Sequence, residues 1–226
     1  MKALFVNGGP RKNWSTFKML DSAMKGAAEA GAETELINLY DIDFKGCKSC
    51  LACKLKNAKT NGVCAIRDDL QPVLEKAHDA DVIVIGSPVY FSDTTGMTRS
   101  FMERLLYPVL SYNPKIDPET GAMQMSLLGR TIPNAMIYTM GSTEEAGASY
   151  NPMIEENKKF LQMLYGYSEA LCSYDTYMMS DYSRYDIMPG TEERRAKYRD
   201  EQFPKDLEAA YELGKRLVEK TKEAQA

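Results

Sequence analysis

Four of the chain's five cysteines, Cys47, Cys50, Cys53 and Cys64, lie in the single stretch DFKGCKSCLACKLKNAKTNGVCAIRDD at residues 43–69. The CxxCxxC triplet is separated from Cys64 by the ten residues Lys54–Val63. Three chemistries fit this spacing. A [4Fe-4S] cluster would use all four thiolates, and a compact triplet is a common way of holding one. Zinc also takes four thiolates, although structural zinc sites usually pair two well-separated CxxC hooks. Four free thiols with no metal are the third reading. Lys45, Lys48, Lys54, Lys56 and Lys59 flank the cysteines; such charge lowers a thiol pKa and favours ligation or reactivity, or simply solvates a loop. Cys172 stands apart in an apolar run and reads as a buried, inert thiol.

Anion chemistry is suggested by NGGPRKNWST, residues 7–16. Gly8 and Gly9 let a ligand approach the backbone closely, and Ser15 and Thr16 bring hydroxyls to a helix start where amide donors are free. Arg11 and Lys12 add positive charge, so phosphate is the natural occupant. The stretch matches neither the GxxxxGK[ST] of a nucleoside triphosphate site nor the GxGxxG of a dinucleotide fold. A solvated glycine turn with a helix cap fits the same residues. In GSPVYFSDTTGMTRSFMERL, residues 86–105, Pro88, Val89, Tyr90 and Phe91 follow a buried run and suit the face of a flat aromatic ligand, or else cap the core. In TMGSTEEAGAS, residues 139–149, Gly141 and Ser142 can offer backbone donors to a ring edge. Together the three loops are a stronger signal than any one of them. His78 is the sole histidine, which excludes a catalytic triad or a histidine-rich metal site.

These loops need elements to hold them. Apolar runs predict strands at 2–6, 34–39, 81–87, 131–139 and 170–178, the third a β-branched run of the kind buried on both faces of a sheet. Helical spacing predicts helices at 16–30, 68–80, 95–110, 152–165 and 204–223, with Asp68 or Asp69 near the second helix's cap. Alternation of this kind implies an α/β protein with a parallel sheet wound on both faces. Ligands of such sheets sit beyond the carboxyl ends of the strands, which gathers the three loops, and the cysteine segment after strand two, along one edge. The expectation is one domain over 1–226, with a cysteine-rich loop at 41–67, an insertion at 111–129 and a C-terminal extension at 180–226. The stretch YDTYMMSDYSRYDIM, residues 174–188, is rich enough in aromatics and methionine for an interface between copies or for core packing. With 28 basic and 32 acidic residues the net charge is -4, so no nucleic acid is expected as partner. No apolar run approaches the roughly 20 residues of a membrane span, and a cytoplasmic protein is expected, where clustered cysteines serve metal or redox chemistry.

The runs GGPRKNWST, CKSCLACK with GVCAIRDDL, and VIVIGSPVYFSDTTGMTRSFMERL resemble the flavodoxin-like NAD(P)H-dependent FMN reductases, especially their iron-sulfur flavoprotein branch, over roughly residues 2–180. The resemblance implies a flavodoxin-like doubly wound five-stranded parallel sheet of order 2-1-3-4-5 with helices on both faces. It implies FMN, with its phosphate on Gly9, Arg11, Lys12, Ser15 and Thr16 and its ring against Pro88, Val89, Tyr90, Phe91, Thr139 and Gly141. The implied activity takes hydride from NAD(P)H and passes electrons to a small acceptor (a quinone, flavin or nitro compound) by a ping-pong mechanism. FMN carries the chemistry and no side chain is assigned as catalytic. The alternative is an electron carrier fed by ferredoxin, with Cys47, Cys50, Cys53 and Cys64 as ligands of a [4Fe-4S] cluster, and a third is a binding module with weak or no FMN. A homodimer or dimer of dimers is implied as well. The chain departs from the family in having Gly9 for a serine, Trp14 for a glycine and Ser15 for an asparagine, and in the longer gap before Cys64. A lost hydroxyl bond costs about 1 kcal/mol, which lowers FMN affinity without abolishing it.

Overall fold

A computed structural model describes residues 1–226 apart from Lys59, Asn61 and Ala226; the expected contribution of Lys59 to the cysteine segment lies outside the described residues. In chain order the elements are β1 (Lys2–Asn7), α1 (Ser15–Glu29), β2 (Glu33–Asn38), α2 (Gln71–Asp79), β3 (Val82–Pro88), α3 (Gly96–Val109), β4 (Leu110–Ile116), β5 (Met123–Ser126), β6 (Asn134–Thr139), α4 (Glu144–Gly147), α5 (Asn151–Tyr165), β7 (Ser168–Ser173), α6 (Thr191–Glu201) and α7 (Phe203–Gln225).

Five strands form one sheet in the order β2-β1-β3-β6-β7, every pair parallel. This is the flavodoxin-like order 2-1-3-4-5 expected from the sequence. Successive side chains of a strand point to opposite faces, so the buried runs of β1, β3 and β6 feed two cores at once. Leu4, Val6, Ile83, Ile85, Met136 and Tyr138 face a core closed by α2, α3 and α5. Ala3, Phe5, Val82, Val84, Ala135 and Ile137 face the other, closed by α1 and α7. The α1–α7 contact is unusually close. A Cβ on Gly26 would stand 1.9 Å from the Tyr211 carbonyl oxygen, and one on Gly214 would stand 1.9 Å from that of Ala23. Glycine at both crossings lets the two backbones touch.

The structure moves several expected boundaries. The fourth strand begins at Asn134, after Pro133, and the fifth runs Ser168–Ser173 instead of 170–178. Beyond Ser173 the chain leaves the sheet, and the Tyr174 amide donates to the Tyr198 hydroxyl. The insertion at 111–129 contains the antiparallel β4–β5 hairpin. The C-terminal extension holds two helices, α6 preceding the expected last one. Asp68 lies near the cap of α2 as expected: Leu70 holds the cap position itself, its amide donates to Asp68 Oδ1 at 3.2 Å, and the same carboxylate also accepts from Arg104. Among the described residues no helix is long and apolar enough to cross a membrane.

Candidate functional site: a cleft at the carboxyl edge and a cysteine cavity on α3

The loops after β1, β3 and β6 are tied together by buried polar groups. The Gly8 amide donates to the Gly86 carbonyl at 2.8 Å, and the Thr95 hydroxyl donates to the Gly8 carbonyl at 2.7 Å. The Gly9 amide donates to Asn7 Oδ1 at 3.0 Å, and the Val89 amide to the Thr139 carbonyl at 2.9 Å. The hydroxyls of Thr16 and Thr139 meet at 2.6 Å across the sheet edge. One cleft results, about 60 Å³ in volume.

Nine of the eleven residues singled out for the ligand line this cleft: Gly9, Arg11, Ser15, Thr16, Pro88, Val89, Tyr90, Thr139 and Gly141. Lys12 lies outside it, paired with Asp41 at 2.7 Å. Phe91 is fully exposed and does not line the cleft. It forms, with Ser92, a tight turn at φ 48° and 67°, a left-handed conformation that costs a side-chain-bearing residue energy and tends to persist at functional sites. Thr176, Tyr177 and Met178 also line the cleft, and the sequence reading missed them. Met178 accepts through its carbonyl from Arg11, whose guanidinium stacks 4.0 Å over the Trp14 ring. Arg195, from α6, donates to the Gly141 carbonyl at 2.9 Å. The segment after β7 therefore straps across the loops.

The cleft suits an anion attached to a flat ring. Trp14 begins α1 without a side-chain cap, and the first turn holds no acidic residue, so its first amides are free to bind negative charge. A Cβ on Gly9 would lie 3.2 Å from Asn7 Oδ1 and 3.4 Å from Pro88 Cδ; glycine keeps that floor open. These residues fit a flavin mononucleotide. A larger cavity of about 390 Å³ opens between β1, β2 and α2, but it includes Lys2 and Glu33 at the starts of their strands, the edge opposite the one where parallel sheets bind ligands.

The cysteine segment is placed differently from the sequence expectation. It leaves β2 at the ligand edge and folds back along α3. Cys47, Cys50, Cys53 and Cys64 line one small cavity of about 20 Å³ together with Glu103, Arg104, Tyr107 and Pro108 of α3. From Gly96 to Arg104 the helix rises about 12 Å, so the cavity sits down the flank of the helix and not among the flavin loops. Cys64 is buried, Cys47 and Cys53 are half-buried and Cys50 is exposed. The long gap before Cys64 does not separate it from the triplet. The Cys47 amide donates to Glu103 Oε2 at 3.0 Å, and the Ser49 amide to Cys47 Sγ at 3.4 Å. Lys54 donates to the carbonyls of Tyr107 and Leu110, fastening the loop to the end of α3. The expected lowering of thiol pKa by the lysines does not hold at Cys53: burial pushes that thiol up, and Lys54 only opposes the shift. Cys172 is half-buried in β7, and burial raises its thiol pKa too.

Four thiols around one cavity are the donor set of an iron-sulfur cluster or of zinc. Among the described residues no three histidine, cysteine, aspartate or glutamate side chains stand close enough to hold a metal ion; the loop would have to close around one. The donor chemistry fits.

Residues 1–125 match the family model described as NADPH-dependent FMN reductase. An iron-sulfur flavoprotein of Archaeoglobus fulgidus is 39% identical over 104 residues, 46% of this chain and 48% of its own. One of Methanocaldococcus jannaschii is 36% identical over 104 residues, 46% and 51% of the two chains. The chain thus spans about half the length of these curated relatives. An iron-sulfur flavoprotein of Clostridioides difficile is 28% identical over 171 residues, 70% and 73% of the two. Among solved structures, an NAD(P)H:quinone oxidoreductase from Methanothermobacter marburgensis superposes with TM-score 0.62 at 15% identity, covering 96% of each chain. At that identity the likeness is one of fold. The family match extends over more than half of the 226 residues, and the chain belongs to the NADPH-dependent FMN reductase family.

Proposed function

We propose that this chain is an FMN-dependent oxidoreductase that takes hydride from NAD(P)H and delivers electrons to a small acceptor such as a quinone, a flavin or a nitro compound. The observation that carries this reading is the convergence of Gly9, Ser15, Thr16, Pro88, Val89, Tyr90, Thr139 and Gly141 on one cleft at the carboxyl edge of the sheet, beside an uncapped helix start. FMN, when bound, supplies the ring that accepts hydride and passes electrons on. The protein's residues do the positioning. The amides and hydroxyls of Ser15 and Thr16 would hold the phosphate, and Arg11, lining the same cleft, would add positive charge beside it. Pro88, Val89 and Tyr90 support one face of the ring, leaving the other for donor and acceptor in turn, which gives a ping-pong order. One flavin-binding domain spans the chain, the protein works in the cytoplasm, and a second copy completes a homodimer or dimer of dimers.

The cysteine cavity favours a second reading, an iron-sulfur flavoprotein electron carrier fed by ferredoxin, in which Cys47, Cys50, Cys53 and Cys64 hold a [4Fe-4S] cluster. Four cysteine side chains facing one cavity support it, as do the curated relatives' names.

Anaerobically purified protein separates these readings when its absorbance spectrum, flavin and metal are measured on one sample. Flavin bands without iron leave the simple reductase; flavin with about four irons per chain selects the two-centre protein. Ser15→Ala combined with Thr16→Val is expected to strip the flavin and leave the metal content untouched. Unchanged flavin occupancy in that variant would mean the phosphate lies elsewhere.

A further inference from the structure

Arg104 is buried in the middle of α3, its side chain 0% exposed. A guanidinium has five N–H donors in a fixed fork, and four of these are engaged. Nη1 serves the Asp68 carboxylate and the Lys45 carbonyl, the latter at 3.1 Å. Nη2 serves Asp68 Oδ1 at 2.9 Å and the Ile66 carbonyl at 3.1 Å. Lys45 precedes Cys47 by two residues and Ile66 follows Cys64 by two, so one side chain pins both ends of the cysteine segment. The fifth donor, Nε–H, is buried and meets no partner at hydrogen-bond geometry among the described residues, while the guanidinium stands close enough to the Cys64 thiol for that sulfur to act on it. Arg104 lines the same cavity as the four cysteines. A buried donor left unpaired is costly, and a purely structural clamp would not need this one.

We propose that Arg104 is the positioning residue of the cysteine site, donating its Nε–H to a sulfur of the bound cluster while its other four donors fix the ends of the loop that carries the ligands. The inference rests on the iron-sulfur reading given above. Its chemistry is that of a hydrogen bond and a positive charge brought to an anionic cluster, both of which stabilise the reduced state and raise the reduction potential. Partners of this kind also hold the ligands in place. The neighbouring Glu103 complements the arrangement by accepting from the Cys47 amide, so consecutive residues of one helix act on the first cysteine and on the cavity.

The test uses the full chain, loaded with FMN and reconstituted anaerobically with ferrous iron and sulfide. Arg104→Lys keeps the charge and removes the fork and its Nε–H. It is expected to retain FMN at the wild-type ratio, to lose iron to a ferrous chelator about tenfold faster or more, and to show a more negative cluster potential. A wild-type potential would overturn the proposal even if iron were lost faster, because a clamp alone speeds iron loss and does not set a potential. Should Arg104→Lys lack flavin and native circular dichroism, Arg104→Gln combined with Asp68→Asn removes both charges together and leaves no lone charge buried; the same two readouts then decide. A wild-type chain that takes up no iron overturns the cluster reading and this inference with it, whereas iron uptake followed by an indifferent Arg104→Lys overturns this inference alone.

Discussion

Asp68 sets a carboxylate against a cation that has no access to water. Its oxygens accept from both Nη groups of Arg104, and its side chain keeps 21% exposure against 0% for Arg104. The hydrogen bond from Arg104 is the chief reason its pKa lies below the ordinary 3.8, with burial opposing. A carboxyl whose folded pKa is depressed binds fewer protons folded than unfolded. Its contribution to stability is therefore present above the unfolded value near 3.9 and is lost as pH falls through the lower folded value. Asp68→Asn removes that contribution and leaves the guanidinium without a counter-charge, at a cost of about 3 kcal/mol at neutral pH. Urea unfolding of both proteins at pH 7 and near pH 3 checks this, the gap being wide at the first and narrowed at the second. Equal gaps would show that the pairing contributes nothing of its own. The signal for this pair was present in the sequence. Arg104 falls at helical spacing from Phe101 and beside Leu105, both buried, and a charge on an apolar stripe must find a partner.

Among the elements, α1 matters most to the cleft because its uncapped first turn lines it and its far half is locked to α7. The lock depends on glycine. Replacing Gly26 by alanine would press a methyl against the Tyr211 carbonyl at 1.9 Å, and neither backbone can yield without parting the helices. Overpacking of this kind costs about 1–3 kcal/mol, read as a lower urea midpoint at unchanged slope. Gly96→Ala is the control: nothing lies within 4 Å of its Cβ position, and it should be neutral or stabilising by up to about 1 kcal/mol. If both variants behaved alike, the close crossing would be absent in solution. The elements that the sequence disclosed and those it hid differ in a physical way. β1 and β3 announce themselves as apolar runs because both of their faces are covered. The α6 segment, TEERRAKYRDE, has no apolar stripe and is held by ion pairs of Arg194 and Arg195 with Asp175, so periodicity could not find it. The β4–β5 hairpin is built from the half-polar stretches LSYNPKI and MQMS, where pairing and not burial makes the strands. Likewise Thr176 and Met178 join the cleft only because the chain turns back over it after β7, a path no local pattern encodes.

At the scale of the molecule, the family match ends at residue 125, yet the fold cannot. One of the two cores has α7 as its outer wall, with Phe203, Ala210, Leu213, Leu217 and Val218 buried against α1 and the sheet. α7 also reaches the sheet through polar bonds: Asp206 accepts from Ser173 at 2.6 Å, and Thr221 donates to the Asp81 carbonyl at 3.2 Å. Burying four large apolar side chains contributes roughly 6–12 kcal/mol, as large as the whole net stability of an ordinary domain, about 5–15 kcal/mol. A chain ended at Gln202 is thus expected to lose cooperative unfolding, bind flavin at no measurable ratio and expose the α1 face to hydrophobic dyes, although every cleft residue from the first three loops is still present. Circular dichroism melts and flavin titration of the shortened chain, set beside the full one, check this. A truncated protein that still melts cooperatively with flavin bound would show that α7 merely covers a unit complete without it; the loss of both would show that the cleft at the start of α1 exists because a helix almost two hundred residues later holds α1 in place.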